Sequence, residues 1–216
     1  MNATPADEDA DNRLPPALFE AVARRGQARS FPANAILINE GDSTDSIYIV
    51  LSGRVKAYAS SEDGREVVLT DYGPGEYFGE LSLDGARRSA SVKAIEPCTC
   101  RVVQGSELQA FLAEYPEFNM HLMRKLIRMV RRLTEQVRGL ALQDTYSRVV
   151  RLLHEFSDAA GEERVVRRKL TQQDIADRVG SSREMVNRVM KELGAGGYVA
   201  LREGRIVILR KPPSAW

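Results

Sequence analysis

The chain has 216 residues, of which 43% are hydrophobic and 28% are charged, a composition typical of a globular protein. Its apolar runs, such as Val67–Leu69, are far shorter than the ~20 residues that a bilayer-spanning helix needs, and the polar start lacks the apolar core of a secretory signal. The two cysteines, Cys98 and Cys100, are one residue apart, a spacing that rarely gives a disulfide. We therefore expect a cytoplasmic protein with no membrane contact.

Charge is distributed unevenly along the chain. Residues 1–117 carry 11 Lys and Arg against 19 Asp and Glu, a net charge of −8, whereas residues 164–216 carry 12 against 5, a net charge of +7. A cationic segment on an acidic body favours a nucleic-acid partner for that segment alone, although a basic solvated tail is the simpler alternative. Residues 1–16 are acidic and polar, and we expect a disordered tail there.

Short β-branched and aromatic runs alternate with turn signals from about Phe31 to Gln104. The tetrapeptides SEDG (61–64) and GPGE (73–76) are such turns. Strands separated by turns every 8–12 residues predict an all-β sandwich or barrel. With the helices predicted after residue 105, the fold class is α+β.

The stretch Phe78–Val92, FGELSLDGARRSASV, combines groups that suit a phosphorylated sugar. A carboxylate such as Glu80 can accept a hydrogen bond from a sugar hydroxyl. A guanidinium such as Arg88 and the Ser89 hydroxyl can hold a phosphate together with backbone N–H groups. A Glu80–Arg88 ion pair with no ligand would explain the same residues.

Residues 118–143 predict one long helix with an apolar seam, since leucines and valines recur there every seven residues. Such a helix is about 39 Å long at 1.5 Å per residue. The β-domain predicted between about Phe31 and Gln104 could not easily cover a helix of that length. We therefore favour a homodimer, in which two such helices pack together, over packing of the helix on its own chain. The predicted interface residues are Leu122, Leu126, Met129, Val130, Leu133, Val137 and Leu140.

The last part of the chain predicts a winged helix-turn-helix. Asp144 can cap a helix that ends at Gly161, and a charged connection follows. Thr171 can cap a second helix that ends at Gly180, and Ser182 can cap a third, REMVNRVMKEL. Two short helices around a Gly-containing turn form a helix-turn-helix, and YVALREGRIVIL predicts a hairpin wing with a tight Glu-Gly turn.

The second helix of such a motif enters the major groove with its N-terminal residues against base edges. Arg183 and Arg188 can each bind guanine O6 and N7, and Glu184 can accept from cytosine N4. A surface pair between Glu184 and Arg188 that only supports the helix is the alternative. The predicted DNA-binding residues are Thr171, Gln172, Ser182, Arg183, Glu184, Asn187, Arg188 and Lys191.

The motifs GELSL, RSASV and LTQQDIADRVGSSREMVNRVMKEL occur in the order found in the Crp/Fnr family of bacterial transcription regulators, which the chain resembles over roughly residues 18–210. The resemblance implies a cyclic-nucleotide-binding β-roll of jelly-roll type at 17–117, a dimerisation helix at 118–143 and a winged helix-turn-helix domain at 144–216. It also implies a homodimeric, non-enzymatic regulator that reads a TGTGA-like palindrome in double-stranded DNA, with RNA polymerase as a candidate partner.

The resemblance also implies an effector site. Gly79 and Glu80 match the positions that meet the ribose of cyclic AMP, and Arg88 and Ser89 match those that hold the cyclic phosphate. Thr134 keeps one of two hydroxyls expected near the adenine, since Leu133 replaces the other. The implied effector-binding residues are Gly79, Glu80, Leu81, Arg88, Ser89, Ala90 and Thr134.

Cyclic AMP or another cyclic nucleotide is the expected effector. Cyclic di-GMP, a regulator without any effector, and a cyclic-nucleotide module without a DNA role are the alternatives.

Other sensors and enzymes fit the residue content poorly. An iron–sulfur sensor needs about four cysteine ligands, and the chain has two cysteines. A haem sensor of this type needs a histidine in the β-domain, whereas the histidines are His121 and His154, both in predicted helices. The lack of histidine before residue 121 also disfavours a metal enzyme on a cupin-like barrel. We therefore expect no haem, no iron–sulfur cluster and no catalytic activity.

Overall fold

The computed structural model describes residues 12–213. One compact unit comprises the residues up to Ser60 together with Val68–Arg131, and the other comprises Ser61–Val67 together with the residues from Arg132 onward. Residues 1–11 of the expected acidic tail lie outside the described range. Leu14, which was predicted to belong to that tail, is buried in a core of the first unit. Within residues 12–213, no helix has the length and apolar character needed to cross a membrane.

The first unit is built on two four-stranded sheets, as the turn spacing predicted. The strands are β1 (Gln27–Phe31), β2 (Ile36–Ile38), β3 (Ile47–Ser52), β4 (Val55–Ser60), β5 (Glu66–Tyr72), β6 (Tyr77–Phe78), β7 (Ser91–Ala94) and β8 (Cys98–Val103). One sheet has the order β1-β8-β3-β6 and the other β2-β7-β4-β5. Side chains alternate across each strand, so Val50 and Phe78 of one sheet meet Val55 and Val92 of the other in a shared core.

Helices cover a second core of this unit. They are α1 (Pro16–Ala23), α2 (Gly105–Glu114) and the first part of α3 (Pro116–Leu142). Leu18, Phe111 and Phe118 from these helices pack against Ile47 and Tyr77 of the first sheet. The predicted long helix is therefore present, and its residues from Arg132 belong to the second unit.

The second unit contains the predicted helix-turn-helix. Its elements are α4 (Thr145–Glu155), β9 (Ser157–Ala160), β10 (Glu163–Val166), α5 (Gln172–Val179), α6 (Arg183–Ala195), β11 (Val199–Arg202) and β12 (Arg205–Ile208). The predicted wing is the β11–β12 hairpin. Its turn residues Glu203 and Gly204 have φ of 53° and 75°, which suits the two positive φ values of a tight two-residue hairpin turn.

The prediction of one helix from residue 145 to Gly161 was wrong after Glu155. The helix ends at Glu155, and β9 pairs with β10 in a four-stranded sheet of order β11-β12-β10-β9. Val165 and Val166 favour a strand, and Arg164 fixes the pairing by donating to Ser157 Oγ (2.9 Å) and Ser157 O (2.6 Å). These tertiary interactions outweigh the helix propensity of the two alanines in β9.

Candidate effector site and nucleic-acid interface

The loop after β6 begins at Gly79, which has a φ of 92°. A Cβ at this position would lie 2.8 Å from Ser46 O and 2.9 Å from Arg88 Nη1, so the loop requires glycine for both its backbone and its packing. A five-residue 3₁₀ helix, Glu80–Asp84, follows and ends at Gly85. The loop is thereby folded tightly beside the Arg88 side chain.

Arg88 is buried, with 5% of its surface exposed, and its N–H groups are directed at neutral oxygen atoms. Nε donates to Thr44 Oγ1 (2.9 Å), Nη1 donates to Gly79 O (2.7 Å) and Ser82 Oγ (2.9 Å), and Nη2 donates to Ser46 O (2.7 Å). No carboxylate in residues 12–213 forms an ion pair with this guanidinium. Burial lowers the pKa of Arg88. A positive charge without a contacting counter-ion favours an anionic ligand nearby.

Glu80 pairs with Lys125 of α3 rather than with Arg88, so the alternative of an internal Glu80–Arg88 pair is not supported. Lys125 Nζ lies 3.1 Å from Glu80 Oε1, and the two side chains are 4% and 2% exposed. Lys125 also donates to Tyr77 O and lies over the Tyr77 ring, 3.7 Å from its centroid. The other carboxylate oxygen, Glu80 Oε2, is buried without a hydrogen-bond partner in the described part of the chain. A buried acceptor left unpaired costs about 1–3 kcal/mol, so this atom favours a hydroxyl donor.

Sequence reasoning missed Lys125. A signal was available, because Lys125 follows Leu122 by three residues and precedes Met129 by four, which places it on the apolar seam of the long helix. A lysine in that position needs a buried partner.

The other predicted effector residues are more open. Leu81 and Ser89 are exposed and Ala90 is half-buried. Thr134 is an exposed residue of α3 in the second unit. The structure therefore brings together Gly79, Glu80 and Arg88 of the predicted set, within one loop of the first unit.

One face of α3 exposes large apolar side chains. In the first unit, Met120, Met123, Ile127 and Val130 are between 46% and 63% exposed. In the second unit, Leu133, Val137 and Leu140 are between 38% and 64% exposed. Three predicted interface residues, Leu122, Leu126 and Met129, are instead half-buried, and Leu122 packs on the core of its own unit. The exposed face is thus rotated from the predicted seam and includes Met120 and Ile127, which the heptad count did not select.

The helices of the helix-turn-helix begin at the predicted caps. Thr171 accepts from Asp174 N (3.1 Å) and Asp174 accepts from Thr171 N (2.8 Å), which forms a capping box. Ser182 accepts from Met185 N (3.2 Å) at the start of α6. Gly180 ends α5 in the left-handed conformation, with a φ of 60°. These caps set the turn that separates the two helices.

The first turns of α6 present free charged groups. Arg183, Glu184, Arg188 and Lys191 are exposed, and the first three form no ion pair with another residue of the described chain. The alternative of a Glu184–Arg188 surface pair is therefore not supported. Hydrogen bonds from its own backbone N–H and from the Ser182 hydroxyl lower the pKa of Glu184, which keeps it an acceptor at neutral pH.

Comparisons with known proteins identify a domain family in each unit. Residues 28–115 match the family model of the cyclic nucleotide-binding domain, and residues 147–212 match that of the Crp-like helix-turn-helix domain. The chain is 33% identical over 199 residues to the CRP-like cAMP-activated global transcriptional regulator of Mycobacterium tuberculosis, a match that covers 90% of this chain and 88% of that protein. The chain belongs to the Crp/Fnr family of transcription regulators.

Further members of the family support this assignment. The cAMP-activated global transcriptional regulator CRP of Pasteurella multocida is 32% identical over 183 residues, which cover 82% of this chain and 88% of that protein. The c-di-GMP responsive global regulator CLP of Xanthomonas campestris superimposes with a TM-score of 0.80 at 27% identity, covering 89% of this chain and 98% of that structure. The chain thus has the cyclic-nucleotide-binding and DNA-binding domains of a Crp/Fnr regulator.

Proposed function

We propose that this chain is a cytoplasmic, homodimeric regulator whose affinity for DNA is switched by a cyclic nucleotide bound at the Gly79–Ala90 loop. The unpaired Oε2 of Glu80 and the buried guanidinium of Arg88, which contacts neutral oxygen atoms and no carboxylate of the described residues, carry this proposal. A cyclic nucleotide supplies a ribose 2′-hydroxyl for the first group and a phosphate anion for the second. Cyclic AMP is the first candidate, because the Mycobacterium tuberculosis relative is described as cAMP-activated.

Cyclic di-GMP is a second candidate. The Xanthomonas campestris regulator with a similar structure is described as c-di-GMP responsive. Leu133 also lacks the hydroxyl that the family resemblance implies near the adenine of cyclic AMP, which would remove one hydrogen bond, about 0.5–1.5 kcal/mol, from a bound adenine.

The output of the switch is the reading of a TGTGA-like palindrome by Arg183, Glu184 and Arg188. The exposed apolar face of α3 would join two chains. Their two α6 helices would then bind half-sites about one helical turn of DNA apart. The effector would shift a two-state equilibrium of this dimer, and a coupling of about 1–3 kcal/mol is enough for a useful switch.

Calorimetry of the purified chain with cyclic AMP, cyclic GMP and cyclic di-GMP tests the effector. We expect Arg88→Ala to abolish binding and Glu80→Gln to weaken it. Cyclic AMP that lacks the 2′-hydroxyl should bind the wild type about 10- to 150-fold more weakly, the range of one hydrogen bond to a charged group. Arg65→Ala, in the exposed hairpin turn of the other unit, should bind as the wild type does. If the wild type binds none of the three nucleotides, the effector proposal fails.

Operator binding tests the output separately. Arg183→Ala and Arg188→Ala should each weaken binding to a TGTGA palindrome by about 1–3 kcal/mol. Arg151→Ala, which removes an exposed arginine of α4 paired with Glu155, serves as the control. Unchanged affinity in both recognition-helix variants would show that these residues do not read the bases.

A further inference from the structure

Two amide side chains connect the helices of the helix-turn-helix. Gln172, the first residue of α5, donates from Nε2 to Oδ1 of Asn187 on α6 over 3.1 Å. Asn187 lies four residues after Arg183 and three after Glu184, so it faces the same way as those exposed side chains. Through this bond, a residue of α5 holds Asn187, which lies on the predicted base-reading face of α6.

This bond determines which polar groups Asn187 can offer to DNA. An asparagine normally reads adenine with two hydrogen bonds, one accepted from N6 and one donated to N7. Here Oδ1 is already engaged by Gln172, whereas Nδ2 has no acceptor within residues 12–213. The free polar group of Asn187 is thus a donor, which suits guanine N7 and O6 or thymine O4 in the major groove; adenine also offers N7, but its neighbouring N6 amino group would meet no acceptor on Asn187.

We infer that Gln172 is a positioning residue that fixes Asn187 as a hydrogen-bond donor, and that Asn187 therefore selects guanine or thymine at the base it faces. The inference rests on the proposed role of α6 in reading DNA. It assigns Gln172 an effect on base choice rather than on phosphate contact. The engaged oxygen keeps a second lone pair, so two-bond recognition of adenine is the competing outcome.

Selection of bound duplexes from a library of randomised palindromes tests the inference, with cyclic AMP present and absent. Asn187→Ala identifies the base position, because selectivity should fall there and nowhere else. At that position the wild type should prefer guanine or thymine over adenine and cytosine by about 2- to 10-fold, the range of one hydrogen bond.

Gln172→Glu should invert this preference. A carboxylate only accepts, so Asn187 would donate Nδ2 to it and present Oδ1 to the base, which favours adenine N6 or cytosine N4. The added negative charge should weaken binding to all sequences alike. The double variant Gln172→Glu/Asn187→Ala should lose the inverted preference.

Gln172→Leu should flatten the preference, since Asn187 is then unanchored. Gln173→Leu is the matched control, because that amide donates to Asp177 within α5 (2.7 Å), and its base preference should equal that of the wild type. An adenine preference in the wild type, or an unchanged preference in Gln172→Glu, would overturn the inference. A wild type that selects no sequence under either condition would instead refute the proposed DNA-reading function.

Discussion

At Gly79 both the backbone conformation and the packing of neighbouring atoms require glycine. Gly85 closes the same loop with a similar φ of 83°, but a Cβ there would meet nothing within 4 Å. Gly85→Ala should therefore lose about 1–2 kcal/mol of folding free energy through its left-handed backbone alone. Gly79→Ala should lose at least about 1 kcal/mol more, because its methyl group would clash with Ser46 O and Arg88. Urea unfolding measures both, and equal losses would contradict the packing argument.

The Lys125–Glu80 pair predicts strong coupling between two residues 45 positions apart. Lys125→Met leaves a buried carboxylate without its counter-ion and should destabilise the chain by about 3–5 kcal/mol. Lys125→Met/Glu80→Leu should recover most of that loss, because replacing both members of a buried pair by apolar groups is often close to neutral. Additive effects of the two single changes in urea unfolding would show that the pair does not act as a unit.

The proximity of candidate site residues was predictable where a short motif contained them. Gly79, Glu80 and Arg88 lie within ten consecutive positions, and the structure brings them together. Lys125 was not found, because helix periodicity describes the face on which a residue lies and not its distant partner. The hydrogen bond from Gln172 to Asn187 depends likewise on how α5 crosses α6.

Among the elements, the N-cap of α6 has a testable energetic role. Ser182→Ala removes the acceptor for Met185 N and should cost about 1 kcal/mol of folding free energy. Ser182→Asn should retain most of the stability, since asparagine caps helices as well as serine does. Denaturant unfolding followed by circular dichroism compares the two, and equal midpoints would show that this cap contributes nothing.

The exposed face of α3 predicts a dimer that a single charge can disrupt. Val137 is 64% exposed, and Val137→Asp would place a carboxylate in the proposed apolar seam. The variant should sediment as a monomer at concentrations at which the wild type is a dimer. Arg138→Asp changes the neighbouring exposed position, outside that apolar face, and should remain dimeric. A monomeric wild type would contradict the proposed assembly.

Elements with strong local signals were predicted well. The seven-residue repeat predicted α3, and the caps predicted the starts of α5 and α6. The β9 strand was missed because its residues, Ser157–Ala160, have no strand preference of their own and depend on pairing with β10. Three of the predicted interface residues, Leu122, Leu126 and Met129, are half-buried, and Leu122 packs on the core of its own unit, a tertiary contact that the seven-residue repeat does not reveal. The dimer interface stays a prediction.

At the scale of the whole molecule, the proposed switch must be reciprocal. If cyclic AMP at both sites of the proposed dimer raises the affinity for operator DNA about 5- to 150-fold, saturating operator must raise the product of the two cyclic AMP binding constants by the same factor. Calorimetric titration of the nucleotide with and without operator measures this factor. Nucleotide affinity that is unaffected by operator would contradict the proposed switch.

The buried thiols on β8 make it possible to follow such a switch with a selectively attached fluorescent label. Cys98 and Cys100 are both free and buried, and burial raises the pKa of each, that of Cys100 to about 12. Because the thiolate is the reactive species, maleimide dyes should label the native chain very slowly at neutral pH. A single cysteine introduced at an exposed site of α6 outside the predicted DNA-binding set, such as Glu192→Cys, would then carry a fluorophore selectively. Energy transfer between two such dyes would report the separation of the recognition helices while effector is added, without removal of either native cysteine.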